Sequence, residues 1–137
     1  MARVYVERRE LPGELLRLLE SHPTAAECTP PLDVIETDRG IEAVIDVPGV
    51  PRASIEIIFS RNVLLVAGQK QPMVCEHGGA AFHIAERSFG RFARAISVDG
   101  AFDAGRATAT LTDGELRVFL PRRDERRGAQ IRIPIQR

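Results

Sequence analysis

Arg106-Ala107-Thr108-Ala109-Thr110-Leu111-Thr112-Asp113-Gly114-Glu115-Leu116-Arg117-Val118-Phe119-Leu120-Pro121 decides the fold. In 106–111, small or apolar residues alternate with polar ones, which places Ala107, Ala109 and Leu111 on one face of an extended strand. Asp113-Gly114 suits the left-handed conformations of a two-residue hairpin turn. The run 115–120 returns beside the first, and Pro121 stops it. Upstream the same period of two recurs in short runs: 32–37, 41–47 ended by Pro48-Gly49, 53–59 ended by Arg61-Asn62, and 63–68. After a loop over 69–81, runs 82–88 and 91–97 flank Phe89-Gly90. About eight short strands with close turn signals, and no long helix, predict an all-β, immunoglobulin-like antiparallel sandwich.

Outside this block the pattern changes. Residues 1–31 read as an arm. Leu11, Leu15, Leu18 and Leu19 fall at helical spacing, Pro12 suits a first helical turn, and Glu14 favours the positive end of the helix dipole. About ten residues are too few for a stable isolated helix, so the segment is expected to be helical only when packed or bound. Pro23, Pro30 and Pro31 punctuate a linker around Cys28. At the other end 122–137 reads as an extension: a charged hinge, Arg122-Arg123-Asp124-Glu125-Arg126-Arg127, then Ile131-Arg132-Ile133-Pro134-Ile135. The three isoleucines alternate along an extended segment, and Pro134 removes a backbone donor. Such a tail needs a surface elsewhere. The expected division is thus 1–31 arm, 32–121 domain, 122–137 extension.

Composition narrows the function. The 137 residues carry 19 basic and 19 acidic side chains, so no global basic footprint for nucleic acid exists. Trp is absent and aromatics are 5%, which argues against a stacking platform for single strands. No apolar run has the length of a membrane span, and the first residues lack a signal-peptide core; the expected location is cytoplasmic. Two cysteines, Cys28 and Cys75, make no disulfide framework. Cys75-Glu76-His77 with His83 lacks the paired spacing of a zinc site, and no nucleophile elbow or phosphate loop occurs. No enzyme, metal or cofactor is expected.

Five segments in order resemble the small heat-shock protein (α-crystallin domain) family over roughly 31–137: Asp46-Val47-Pro48-Gly49-Val50; Asn62 to Gly68; Glu86-Arg87-Ser88-Phe89-Gly90-Arg91-Phe92-Ala93-Arg94; Ala109 to Leu116; and the isoleucine tail, which is similar to the family's I-x-I arm. The chain departs from the pattern at Ser97-Val98, where the family has Leu-Pro, at Gly114-Glu115-Leu116, where it has Gly-Val-Leu, and in its short arm. The resemblance implies ATP-independent binding of unfolding client proteins. It also implies a homodimer formed by strand exchange and assembled further through tails. A related β-sandwich acting as a monomeric co-chaperone or scaffold is the alternative.

Site residues follow from the resemblance. The tail, Ile131, Ile133, Pro134 and Ile135, would dock through either pair, 131/133 or 133/135. The receiving groove would be Ile55, Ile57, Ala107 and Ala109, with Phe59 and Leu111 as core. Met73 and Val74, within 72–75, would cross to a partner near Leu32 and Val34, unless the loop is plain. Arg91 and Arg94 are the favoured arginines of the dimer seam over Arg87, with a solvated surface as the other reading. Leu11, Leu15, Leu18 and Leu19 would contact clients or other subunits.

Overall fold

The computed structural model describes residues 28–72, 77–123 and 134–135. Seven strands follow in order: β1 (Leu32–Glu36), β2 (Gly40–Asp46), β3 (Glu56–Ser60), β4 (Val63–Lys70), β5 (Gly90–Ser97), β6 (Thr108–Thr112) and β7 (Glu115–Pro121). They form two antiparallel sheets, β1-β2-β7-β6 and β3-β4-β5. All-β architecture is thus established, with two single-turn 3₁₀ segments, Arg52–Ser54 and Ala104–Arg106, as the helical structure among the described residues.

The core lies between the sheets. Ile41, Ala43 and Ile45 from β2 and Leu116, Val118 and Leu120 from β7 point inward from one sheet. Leu64 and Val66 from β4 and Phe92 and Ile96 from β5 meet them from the other. The alternation of each strand is what sends these residues to a common face. The β6–β7 hairpin turns at Asp113 and Gly114, with φ of 52° and 78°, and pairs Thr112 with Glu115. Gly114 also packs on the Pro48 turn: a Cβ there would lie 3.1 Å from the Pro48 Cα, and the Val47 amide donates to the Gly114 carbonyl at 2.7 Å. Two of the sequence motifs, far apart in the chain, are therefore one contact. Gly68 has a packing role instead, since a Cβ would meet the Phe92 ring at 2.7 Å.

Three strand expectations are corrected. Residues 82–88 form no strand; their alternation is real, but none of the edge strands β1, β3, β5 and β6 pairs with them among the described residues. The strand expected over 53–59 starts at Glu56, because the Ser54 amide and hydroxyl both donate to the Pro51 carbonyl at 3.0 Å and close a 3₁₀ turn. The strand expected from 106 starts at Thr108, because the Asp103 side chain accepts from the Gly105 amide at 3.0 Å and the Ala107 amide bonds Ala104, holding another 3₁₀ turn.

Candidate functional site: a groove, two strand edges and a closed seam

The two sheets leave two open sides. On one, β3 lies across from β6, both at sheet edges. Ile55 precedes β3 by one residue and Ile57 lies on it; both pack partly buried against the core. Between them and β6 is a cavity of about 190 Å³ lined by Arg52, Ile55, Ile57, Ala109, Thr110, Leu111 and Leu116. Three of the residues expected in a groove, Ile55, Ile57 and Ala109, are brought together there. Ala107 is not among the lining; it sits exposed in the turn before β6. Leu111, expected in the core, does double duty, and Arg52, Thr110 and Leu116 complete the walls. Ala109 contributes only a methyl, so the groove stays deep enough for a branched side chain.

On the other side, β1 and β5 are the outer strands. Here the chain closes the gap itself. The Cys28 amide donates to the Arg91 carbonyl at 3.3 Å and the Asp46 amide to the Pro31 carbonyl at 3.1 Å. Residues 28–31 thus bridge β5 to the end of β2, with Cys28 buried and its Sγ 3.6 Å from the Gly90 carbonyl. Phe92, Arg94 and Ile96 share one face of β5. Arg94 reaches the Pro30 carbonyl through Nη1 at 3.2 Å, and its Nε is buried with no hydrogen-bond partner among the described residues. Arg91 lies on the opposite face, partly buried. Arg87 stacks over the Phe89 ring at 4.9 Å, and Lys70 lies 5.6 Å from it.

β1 presents a free edge. Leu32 and Val34 pack partly buried against the core, while Ile35 is exposed on the outer face. Beside it, Arg122 ion-pairs Glu36 and lies 5.6 Å from the Phe102 ring. Its amide donates to the Arg39 carbonyl, and that of Arg123 donates to Ala101, each at 2.9 Å. These arginines, expected in a solvated hinge, are pinned to the domain.

In the loop before β5, Phe82 and Ile84 are 69% and 77% exposed. The sequence signal for them was their alternation. Of the tail, Pro134 and Ile135 are exposed; Ile131 and Ile133 lie outside the described residues, as do Met73, Val74, Cys75, Leu11, Leu15, Leu18 and Leu19. Among the described residues no three His, Cys, Asp or Glu side chains cluster to hold a metal ion, and no helix is long and apolar enough to cross a membrane.

The sequence and the described fold both match known proteins. The model of the Hsp20/alpha crystallin family matches residues 33–136, and the chain belongs to that family. Small heat shock protein C4 of Rickettsia felis is 28% identical over 105 residues, covering 77% of this chain and 64% of that protein. The 21.9 kDa heat shock protein of Oryza sativa is 34% identical over 106 residues, covering 72% and 52%. The chain thus spans between half and two thirds of the length of these relatives. Among solved structures, heat shock protein 16.0 from Schizosaccharomyces pombe superposes with a TM-score of 0.64 at 26% identity over 80% of this chain and 98% of that one. A small heat-shock protein from Xylella fastidiosa gives 0.63 at 27% identity over 81% and 97%.

Proposed function

We propose that this protein is an ATP-independent chaperone that binds unfolding proteins and keeps them from aggregating, acting in the cytoplasm as an assembly of strand-exchanged dimers. The observation that carries the reading is the groove between β3 and β6: an apolar slot with one small wall, in a chain whose own tail alternates isoleucines. Docking an isoleucine stabilises by roughly 1.5–3 kcal/mol, and ordering the tail takes back much of it. Each contact is weak alone and effective only in many copies. A cover held this way is released by modest heating. Both tail registers fit, because 131/133 and 133/135 present the same spacing.

The dimer follows from the free edge of β1. An extended segment of a partner adds to such an edge through main-chain hydrogen bonds. The loop segment around Phe82 and Ile84 has the alternation for it and no strand beside it among the described residues, so we place the crossing strand there rather than at Met73-Val74. In that arrangement Ile35 and the exposed Phe82 and Ile84 become buried, and Arg94, bonded to Pro30 just ahead of β1, lies at the seam. No step of this function involves a reaction, metal or cofactor.

The test is light scattering of a heat-labile client without nucleotide. Suppression of scattering that rises with the amount of protein added is expected. A monomer that leaves client aggregation unchanged overturns the reading in favour of a scaffold module.

A further inference from the structure

The outer face of the β3-β4-β5 sheet carries a second apolar cluster. Val63 and Leu65 of β4 point away from the core that holds Leu64 and Val66, yet they are only 4% and 2% exposed. The partly buried apolar side chains packed against them are Ile58, Ala93 and Ala95, all from the same sheet. Register puts Leu65 between Ile58 and Ala95, and Val63 between Ser60 and Ser97. Neighbours within a sheet shield a side chain laterally but cannot cover it from above. Alanines and serines on the flanking strands leave a shallow trough rather than a lid. An antiparallel sheet can leave one face to solvent, but two side chains buried this deeply on that face need a layer above them.

We propose that the layer is the leucine stripe of the same chain's N-terminal arm, Leu11, Leu15, Leu18 and Leu19. The arm ends where the face begins: Cys28 is bonded to the Arg91 carbonyl at the start of β5. Eight residues lie between Leu19 and Cys28, an extended reach of about 30 Å, whereas Arg91 to Ala95 is about 13 Å of strand. A helix from 11 to 19 is about 12 Å long, which matches the Val63-to-Ala67 length of the trough. An amphipathic segment too short to be helical alone gains a surface to be helical on, and Ala93 and Ala95 let it approach closely. The arm is then a cover for its own domain, and its departure would bare a face of Ile58, Val63, Leu65, Ala93 and Ala95. The assignment goes beyond the chaperone reading and does not need it.

Two measurements on the full chain test it. A benzoylphenylalanine photo-crosslinker in place of Leu18 should attach to Ile58, Leu65 or Ala95, and in a mixture of light and isotopically heavy subunits the product should be of one isotope only. In a Cys28→Ala, Cys75→Ser background, a thiol placed by Ala95→Cys should react with a disulfide reagent at least about tenfold faster once Leu15→Ser and Leu18→Ser are added, since burying one leucine is worth about that factor in docking. Cross-links to the β3–β6 groove, mixed-isotope products or an unchanged thiol rate overturn the proposal.

Discussion

The two open sides of the sandwich are built from similar strands and finished in opposite ways. At β1 and β5 the chain fills the gap with 28–31, burying Cys28 and tying Pro30 to Arg94. At β3 and β6 it leaves a cavity of about 190 Å³ with Ile55 and Ile57 half covered. A side closed by covalently continuous chain pays no association cost and belongs to the stability of the domain. The open side, like the outer edge of β1 beyond the sealed gap, belongs to assembly, where occupancy depends on concentration and temperature. The difference teaches which substitutions unfold the protein and which only rearrange it.

Cys28→Asp should break the closed side most severely. A carboxylate in that core position should cost about 3 kcal/mol or more, read as a lower urea midpoint; an unchanged midpoint would mean that 28–31 contributes nothing to the fold. Next, Phe82→Asp with Ile84→Asp should weaken dimerisation by about a hundredfold, given two apolar side chains that stop being buried. Sedimentation at micromolar concentration should then show monomers, and a persisting dimer would put the exchange elsewhere. The open side is sharpened by Ile133→Ala with Ile135→Ala, expected to weaken each docking by about tenfold where the 131/133 pair docks and by about a hundredfold where 133/135 does, and to shrink the assembly without moving the urea midpoint. Unchanged mass by light scattering would sink tail docking there. Smallest, Glu42→Ala removes the exposed pair with Arg117, 2.8 Å apart on the outer face of β2 and β7, and should change stability by about 0.5 kcal/mol or less. A larger loss would show that the outer face is covered in the assembly.

Much of this was legible in the residues. The Asp113-Gly114 hairpin and the period-two runs named five of the seven strands closely and placed the starts of β3 and β6 too early, because alternation and turn chemistry are local properties. Ile55, Ile57 and Ala109 were legible as neighbours only through the resemblance, since they come from different sheets. Phe82 to Ser88 alternates like a strand but pairs with no edge among the described residues, and an extended run becomes a strand only with a partner. Ala107 alternates with Ala109 yet is pulled into a turn by the Asp103 cap. Cys28, read as linker, is core because a groove at β5 receives it.

By itself the sequence determined the strand periodicity, the turns that interrupt it and the isoleucine and leucine stripes seeking cover, all of which depend on residues within a few positions of each other. Only the tertiary structure decided which edges remain free, that residues 28–31 seal one side of the sandwich while β3 and β6 hold the other open, and that Val63 and Leu65 lie buried on the outside of a sheet. Those depend on how two sheets stack, and stacking brings together residues that no local pattern relates.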